Sequence, residues 1–378
     1  MNSKKYNNIK LAIGISETFL IFILIFLFLY SGYSRKLSDF LYSYSGSDYV
    51  VLILFIIIIS AAASIILFPL NFYSSYFLEH KYNLSNQTLL KYFAESIKST
   101  LVSVSIGVPI LLLFYFILKE FGDYWWLVFA SAMFFISVIL SQIFPVLIFP
   151  IFYKVKPIED EELKERIKNL AKDAGLKVQD VYSFNMSKNT KKANAAFTGL
   201  GKTKRIILGD TLLSSYSKDE IETVIAHELG HYKKKHIIKN IIFGTVNSFA
   251  MFFVISVLYK ISLSWFGFTV ITEIAAFPLL TLWAMLIGLI QTPISNLLSR
   301  KFEYEADQYA IEYTRKPLSF IQTLNKLTEQ NLGDKEPHPF VEWFFYSHPS
   351  IKKRISAIEN YSKEKMILEN KQLQEQMS

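Results

Sequence analysis

Two of the six histidines in this chain stand four residues apart, in the run His227-Glu228-Leu229-Gly230-His231, and there is no cysteine anywhere. Residues four apart share one face of a helix, one turn above another. Both imidazoles can therefore reach one ion from a single rigid element. Glu228 is rotated about 100° from His227, close enough to address a water on the ion without ligating it. Zinc lowers the pKa of such a water towards roughly 7, and a neighbouring carboxylate can then take its proton. The pattern points to one Zn2+ per chain, with His227 and His231 as ligands and Glu228 as general base of a peptide hydrolysis. Without thiolates, any further ligand must be His, Asp or Glu.

A tetrahedral catalytic site keeps its fourth position open, so one more protein ligand is required. The candidates lie in Ser299-Arg300-Lys301-Phe302-Glu303-Tyr304-Glu305-Ala306-Asp307. Glu303 and Asp307 are four apart and face the same way on a helix. Glu303 can ligate the metal while Asp307 hydrogen-bonds the outer nitrogen of a ligand histidine and fixes its tautomer. Glu305 points elsewhere on a helix and competes as the ligand only if this segment is not helical.

These side chains need elements to hold them. Ser217 followed by Glu220 has capping-box spacing, and Ile221, Val224 and Ile225 supply an apolar stripe, so a helix is expected from about Lys218 to His236. Upstream, Glu161 to Ala174 reads as an amphipathic helix ended by Gly175. Val178 to Phe184 and Arg205 to Leu208 have the content of short strands. The tail from Ser350 onward, with Ile351, Ile355 and Ile358, reads as a surface amphipathic helix.

The remainder is built for a bilayer. Hydrophobic residues make up 52% and charged ones 19%, too little polar surface for a purely soluble protein. The apolar residues gather in runs at Leu11–Tyr30, Tyr49–Phe72, Leu101–Leu118, Tyr124–Phe149, Ile237–Tyr259 and Ile271–Leu298, most of them long enough to cross a bilayer as helix. The formal charge of +8 reads as lysine and arginine on cytoplasmic loops beside membrane lipid, not as a nucleic-acid site. An even number of spans puts both termini, the 73–100 loop and the long 150–236 segment on the cytoplasmic side. The chain divides into a four-span membrane domain (1–150), a protease segment (151–236), a transmembrane hairpin (237–298) and a second cytoplasmic segment (299–378). The hairpin returns Glu303 to the face where His227 and His231 begin. Gln291, Thr292 and Asn296 are polar groups in or near the sixth run, which usually face a protein interior or a water-filled cavity. The fold class is a predominantly α-helical polytopic membrane protein of six clear spans with a small α+β protease domain.

Several motifs in order resemble the zinc-dependent type 1 CaaX prenyl proteases and their prokaryotic relatives. They are residues 79–98, Asn194-Ala195-Ala196-Phe197, Gly199-Leu200-Gly201-Lys202, the stretch 206–212, the His227–His236 segment, Ser299–Asp307, and Ser347-His348-Pro349 with Arg354 six beyond the histidine. The resemblance implies His227, His231 and Glu303 as zinc ligands and Glu228 as base. It places Asn194, with Ala195 and Phe197, against substrate backbone by β-addition. His348 would stabilise the tetrahedral oxyanion and Arg354 would order the site. It further implies seven spans around a water-filled chamber, and a prenylated or hydrophobic peptide as substrate. Ala196 departs from the aromatic residue the family often carries after Asn-Ala. A quality-control protease without prenyl preference is the alternative. A non-catalytic lipid or peptide carrier is a further rival, but it would have no use for Glu228. His236 reads as structural, near a helix end, while His80 and His338 carry no argued role.

Overall fold

The computed structural model describes residues 2–176, 178, 180–198 and 205–377. Five helical runs among them are long and apolar enough to cross a membrane: Asn2–Tyr30, Asp48–Lys81, Leu89–Phe152, His236–Phe266 and Ile274–Thr314. They begin with α1 (Asn2–Tyr30), a short amphipathic α2 (Tyr33–Tyr42), and α3 (Asp48–Phe72), which runs on through a π turn to Lys81. The third run is two helices, α4 (Leu89–Phe121) and α5 (Trp125–Ile143), joined at Gly122 with φ 49°. The ring of Phe114 lies 5.3 Å from that of Trp125 and 5.0 Å from that of Phe129. Residues fifteen apart on one straight helix would be separated by about 22 Å, so the chain folds back here. The five runs thus contain the six spans read from hydropathy. The 73–81 and 89–100 residues extend neighbouring helices and add no separate span.

A four-stranded sheet and its helices follow: β1 (Val155–Pro157), α6 (Glu161–Asp173), β2 (Val181–Phe184), β3 (Ala195–Thr198), β4 (Arg205–Gly209) and α7 (Asp210–Ser215). The strand order is β1-β2-β4-β3, with β2 parallel to β4 and the outer pairs antiparallel. β3 is therefore an edge strand among the described residues. Gly175 takes φ 79° just after α6, as expected of a helix-ending glycine. The expected strands form, shortened to 181–184 at β2. Gly199-Leu200-Gly201-Lys202 lies outside the described residues.

The metal-motif helix α8 (Lys218–Lys233) starts at a capping box, with Ser217 and Glu220 each accepting from the other's backbone N–H. Ile221, Ile225 and Leu229 bury one face of it against Ile167, Ile206, Leu208 and Leu212 from α6, β4 and α7. One expectation needs correction. The helix does not run on to His236 and into the fifth span: Lys235 adopts φ 57°, and a separate helix α9 (His236–Ser262) begins there. The left-handed residue turns the chain so that His236 comes back against His231.

The remaining helices are α10 (Phe277–Thr314), α11 (Pro317–Gln330), α12 (Pro339–Phe345) and α13 (Ile351–Met377). At 38 residues, α10 is about 57 Å long, nearly twice the hydrocarbon thickness of about 30 Å. One unbroken rod therefore carries the chain out of the apolar region and past the metal-motif helix, and Ser299–Asp307 is helical as expected.

Candidate metal centre and active site

α8 and α10 cross where their functional faces meet. His227 is buried, His231 half-buried, and Glu303 only 5% exposed. His227 Nε2 lies 3.2 Å from His231 Nε2. Glu303 Oε2 is 3.5 Å from His227 Nε2, and Glu303 Oε1 is 3.3 Å from His231 Nε2. The three residues present one ligand atom each, all within 4.8 Å of one another. Donors bonded tetrahedrally to one ion at about 2.0–2.1 Å stand about 3.3 Å apart, so the spacing fits a single metal. Glu303 Oε2 is moreover a buried oxygen that accepts no hydrogen bond, with the Arg354 guanidinium 3.4 Å away, so it is free to ligate an ion on the side of the imidazoles. Glu305 points away from this triangle, as a continuous helix requires.

The outer nitrogens of the two histidines are held differently. His227 Nδ1 faces Asp307 Oδ1 at 2.8 Å. Asp307 is buried, and an ionised carboxylate can only accept, so Nδ1 carries the proton and Nε2 offers its lone pair inward. Burial alone would lower this imidazole, but the neighbouring carboxylates of Asp307 and Glu303 outweigh it and lift the metal-free group to about 9. Arg354, from the start of α13, donates from Nε to Asp307 Oδ2 at 2.8 Å and stands 3.4 Å from Glu303 Oε2 through Nη1. Burial opposes its charge, but Asp307 and Glu303 keep the guanidinium protonated well above its ordinary range.

Glu228 is half-buried beside this cluster. Loss of solvent raises its carboxyl above the ordinary value although His227 and His231 pull the other way. A carboxylate so placed is the readier to take a proton. His348 closes the opposite side, its Nε2 3.4 Å from Glu303 Oε1 and its Nδ1 2.9 Å from Ser347 Oγ. The segment carrying it is tied down by α10. Arg300 Nη1 donates to the carbonyls of Glu342, Trp343 and Tyr346, and Asn296 Nδ2 donates to that of Phe344. Glu342 in turn accepts from the Ser350 N–H at 3.1 Å. Asn296 thus uses its amide on the chain end before His348.

Asn194 is exposed at the entrance to β3, and its carbonyl accepts from the Gly209 N–H at 2.9 Å. Ala195 packs towards the core that includes Ile221, Ile225 and Leu229 of the metal-motif helix. Phe197 forms part of β3. The edge strand therefore runs beside α8, where an extended peptide could add to it. Among the other histidines, His338 caps α12 by accepting from the Phe340 N–H, and His80 bridges the carbonyls of Tyr76 and Gln87.

Sequence reasoning missed Arg300, Glu342 and the partners of His236. Arg300 offers only a cation one turn before Glu303, and nothing local shows which carbonyls it meets.

Membrane helices joined to a helix pair bearing this donor set define a membrane metalloprotease, and comparison with known proteins agrees. The model of peptidase family M48 matches residues 157–362, and that of the CAAX prenyl protease N-terminal region, described as five membrane helices, matches residues 1–154. The chain belongs to peptidase family M48. It is 32% identical over 361 residues to YhfN, an uncharacterized metalloprotease of Bacillus subtilis, covering 94% of this chain and 84% of YhfN. It is 33% identical over 330 residues to CAAX prenyl protease 1 of Saccharomyces cerevisiae, covering 82% of this chain and 72% of the yeast protein. The crystal structure of S. mikatae Ste24p superposes with a TM-score of 0.83 at 29% identity, covering 94% of this chain and 88% of that one. The resemblance to type 1 CaaX prenyl proteases read from the motifs agrees with all three. The chain is an integral membrane metalloprotease of the Ste24-like kind.

Proposed function

We propose that this protein is a zinc endopeptidase that cleaves near the C-terminus of prenylated or otherwise hydrophobic peptides, with its site on the cytoplasmic side of the membrane. The observation that carries the chemistry is the convergence of His227, His231 and Glu303 on one point, with Glu228 on the same helix turn. Nitrogen and carboxylate donors without thiolate, near-tetrahedral spacing and one position left for water favour zinc. When bound, the ion supplies Lewis acidity to the attacking water and the scissile carbonyl.

The chain's own residues do the rest. Glu228 takes the proton of the attacking water and passes it to the leaving amine. His348 donates to the oxyanion as it develops, and Arg354 holds Asp307 and Glu303 in place while keeping the buried carboxylates charge-compensated. Asn194, Ala195 and Phe197 align the peptide along β3, main chain to main chain, so that the scissile bond lies over α8. Prenyl preference is supported by similarity to CAAX prenyl protease 1 of Saccharomyces cerevisiae and by the apolar helices that lead to the site. Cytoplasmic placement is supported by the lysines that gather on the 150–236 segment and the tail.

The test uses the purified full-length protein with a farnesylated C-terminal peptide and its unmodified twin. Zinc-dependent cleavage favouring the farnesylated peptide is expected. Activity that survives both chelation and Glu228→Gln would overturn the mechanism. Equal turnover of the two peptides would overturn the prenyl preference and favour a quality-control protease.

A further inference from the structure

The two candidate ligand histidines are not supported in the same way. His227 reaches a carboxylate directly through Asp307, whereas His231 Nδ1 meets another imidazole, His236 Nδ1, at 2.9 Å. The second nitrogen of His236, Nε2, lies 2.9 Å from Glu305 Oε2. We propose that His236 and Glu305 are positioning residues for the metal centre, a carboxylate–imidazole relay that fixes the tautomer and orientation of His231. The inference rests on His231 being a metal ligand, as proposed above.

The direction of the relay follows from its far end. A Glu305 carboxylate can only accept, so a neutral His236 donates from Nε2 and presents a bare Nδ1 to His231. That nitrogen can then only accept, which places the His231 proton on Nδ1 and leaves Nε2 unprotonated on the side of Glu303 and His227. Only that tautomer can ligate through the nitrogen that faces the triangle. With His236 neutral, reversing either of its hydrogen bonds alone would put two protons or two lone pairs face to face. The polarity of the chain is thus set by a carboxylate two bonds removed from the ligand.

The surroundings hold the middle member still. His236 is 1% exposed, and its ring stacks on Phe302 at 4.1 Å between centroids and 8° between planes. Phe302 precedes Glu303 on α10, so the platform under the relay and the third candidate ligand are neighbours on one helix. The left-handed backbone of Lys235 is what brings His236 into reach, five residues after His231. Lys239 at 3.5 Å and Lys301 at 4.0 Å flank Glu305. A purely structural role, pinning α9 to α10, would need the Phe302 stack but not both nitrogens in this order.

The test compares the full-length protein with His236→Phe, which keeps the stack and removes both nitrogens, and Glu305→Gln, which keeps the shape and removes the charge. Zinc affinity is measured by chelator competition, and the visible absorption of the cobalt(II)-loaded protein reports the ligand field. Affinity should fall by about 100-fold for His236→Phe and about tenfold for Glu305→Gln, with altered cobalt bands and unchanged helix content. If His236→Phe fails to fold, Glu305→Gln decides alone, since that side chain is partly exposed at the helix surface. Zinc affinities within about twofold of the parent in the folded variants, with the parent's cobalt spectrum, overturn the relay while leaving the metal site standing. A parent protein that binds no zinc overturns the metal reading itself and the relay with it.

Discussion

Gly230 lies directly against Ala306 where α8 crosses α10: a methyl group at Gly230 would stand 2.9 Å from Ala306 Cα, 3.0 Å from its carbonyl oxygen and 3.1 Å from Tyr309 Cβ. Two of these neighbours are backbone and cannot rotate aside. The missing side chain is what lets two helices carrying His227 and His231 on one side and Glu303 on the other approach to donor distance. Gly230 is thus part of the proposed metal site without touching its donor atoms.

Gly230→Ala should therefore push α8 off α10. Overpacking of this kind costs about 1–3 kcal/mol, and the displacement separates Glu303 from the imidazoles. The expected outcome is a lower melting midpoint together with weaker zinc binding in the same variant. Unimpaired zinc affinity would mean that the helices can slide apart without opening the donor triangle.

Glu228→Gln separates chemistry from assembly. The amide keeps the volume of a half-buried side chain and removes the proton acceptor. Cleavage should fall by about 10²–10⁴-fold, while zinc stoichiometry and affinity stay at the parent level. Loss of metal together with activity would instead assign Glu228 to the ligand set.

His348→Gln bears on the oxyanion side. His348 approaches Glu303 from the loop that Arg300 and Glu342 fix, so removing its imidazole leaves the donors in place. A drop of about 10²–10³-fold in kcat with little change in KM or zinc affinity is expected. An effect confined to KM would make it a substrate-docking residue.

The parts of this protein that a sequence reveals are those governed by local period. The i, i+4 pairs His227/His231 and Glu303/Asp307, the Ser217/Glu220 box and the apolar runs each depend on residues within a turn or a span of one another. Contacts between elements are a different matter. Nothing near Lys235 in the sequence announces a left-handed residue, so α8 and α9 read as one helix. With that break unseen, His236 reads as a helix-end histidine rather than the neighbour of His231. Gly230 is similar: inside a helix it reads as a mild weakness, and only the position of Ala306 gives it a purpose. The edge position of β3 was legible through motif resemblance, because a four-residue strand has too little pattern to declare its place in a sheet.

The capping box makes a pH-dependent prediction outside the site. Glu220 accepts from the Ser217 N–H at 2.7 Å and pairs with Lys326 at 3.0 Å. Burial would raise its carboxyl, but those two partners hold it below the ordinary 4.5. Its folded value is depressed, so its stabilisation is present above the unfolded value and lost as pH falls through the folded one. The melting deficit of Glu220→Gln should therefore be full near neutral pH and shrink below about pH 4.5. Ser217→Ala should cost about 1 kcal/mol with zinc affinity unchanged, because the cap lies more than two turns from His227. A deficit for Glu220→Gln that does not vary with pH would mean the carboxylate charge contributes nothing to the cap.

Asp307 carries two loads at once, and replacing it by asparagine cannot satisfy both. It accepts from His227 Nδ1 and Arg354 Nη2 on one oxygen and from Arg354 Nε on the other, so that the guanidinium holds it at two points. An asparagine that turns its oxygen to His227 and Arg354 Nη2 presents its NH2 group to Arg354 Nε, donor against donor in a buried space. One that turns its oxygen to Arg354 presents the NH2 group to His227 Nδ1. The imidazole proton then moves to Nε2, the atom that faces Glu303 and His231. The first orientation costs the guanidinium one of its two hydrogen bonds and the second blocks a proposed ligand. Asp307→Asn should therefore lower zinc affinity by about 10–100-fold, measured by chelator competition. Arg354→Lys, which keeps a cation beside Asp307 but gives up the two-point hold, should lower it less. Should Asp307→Asn bind zinc as tightly as the parent, the His227 tautomer is set by something other than this carboxylate.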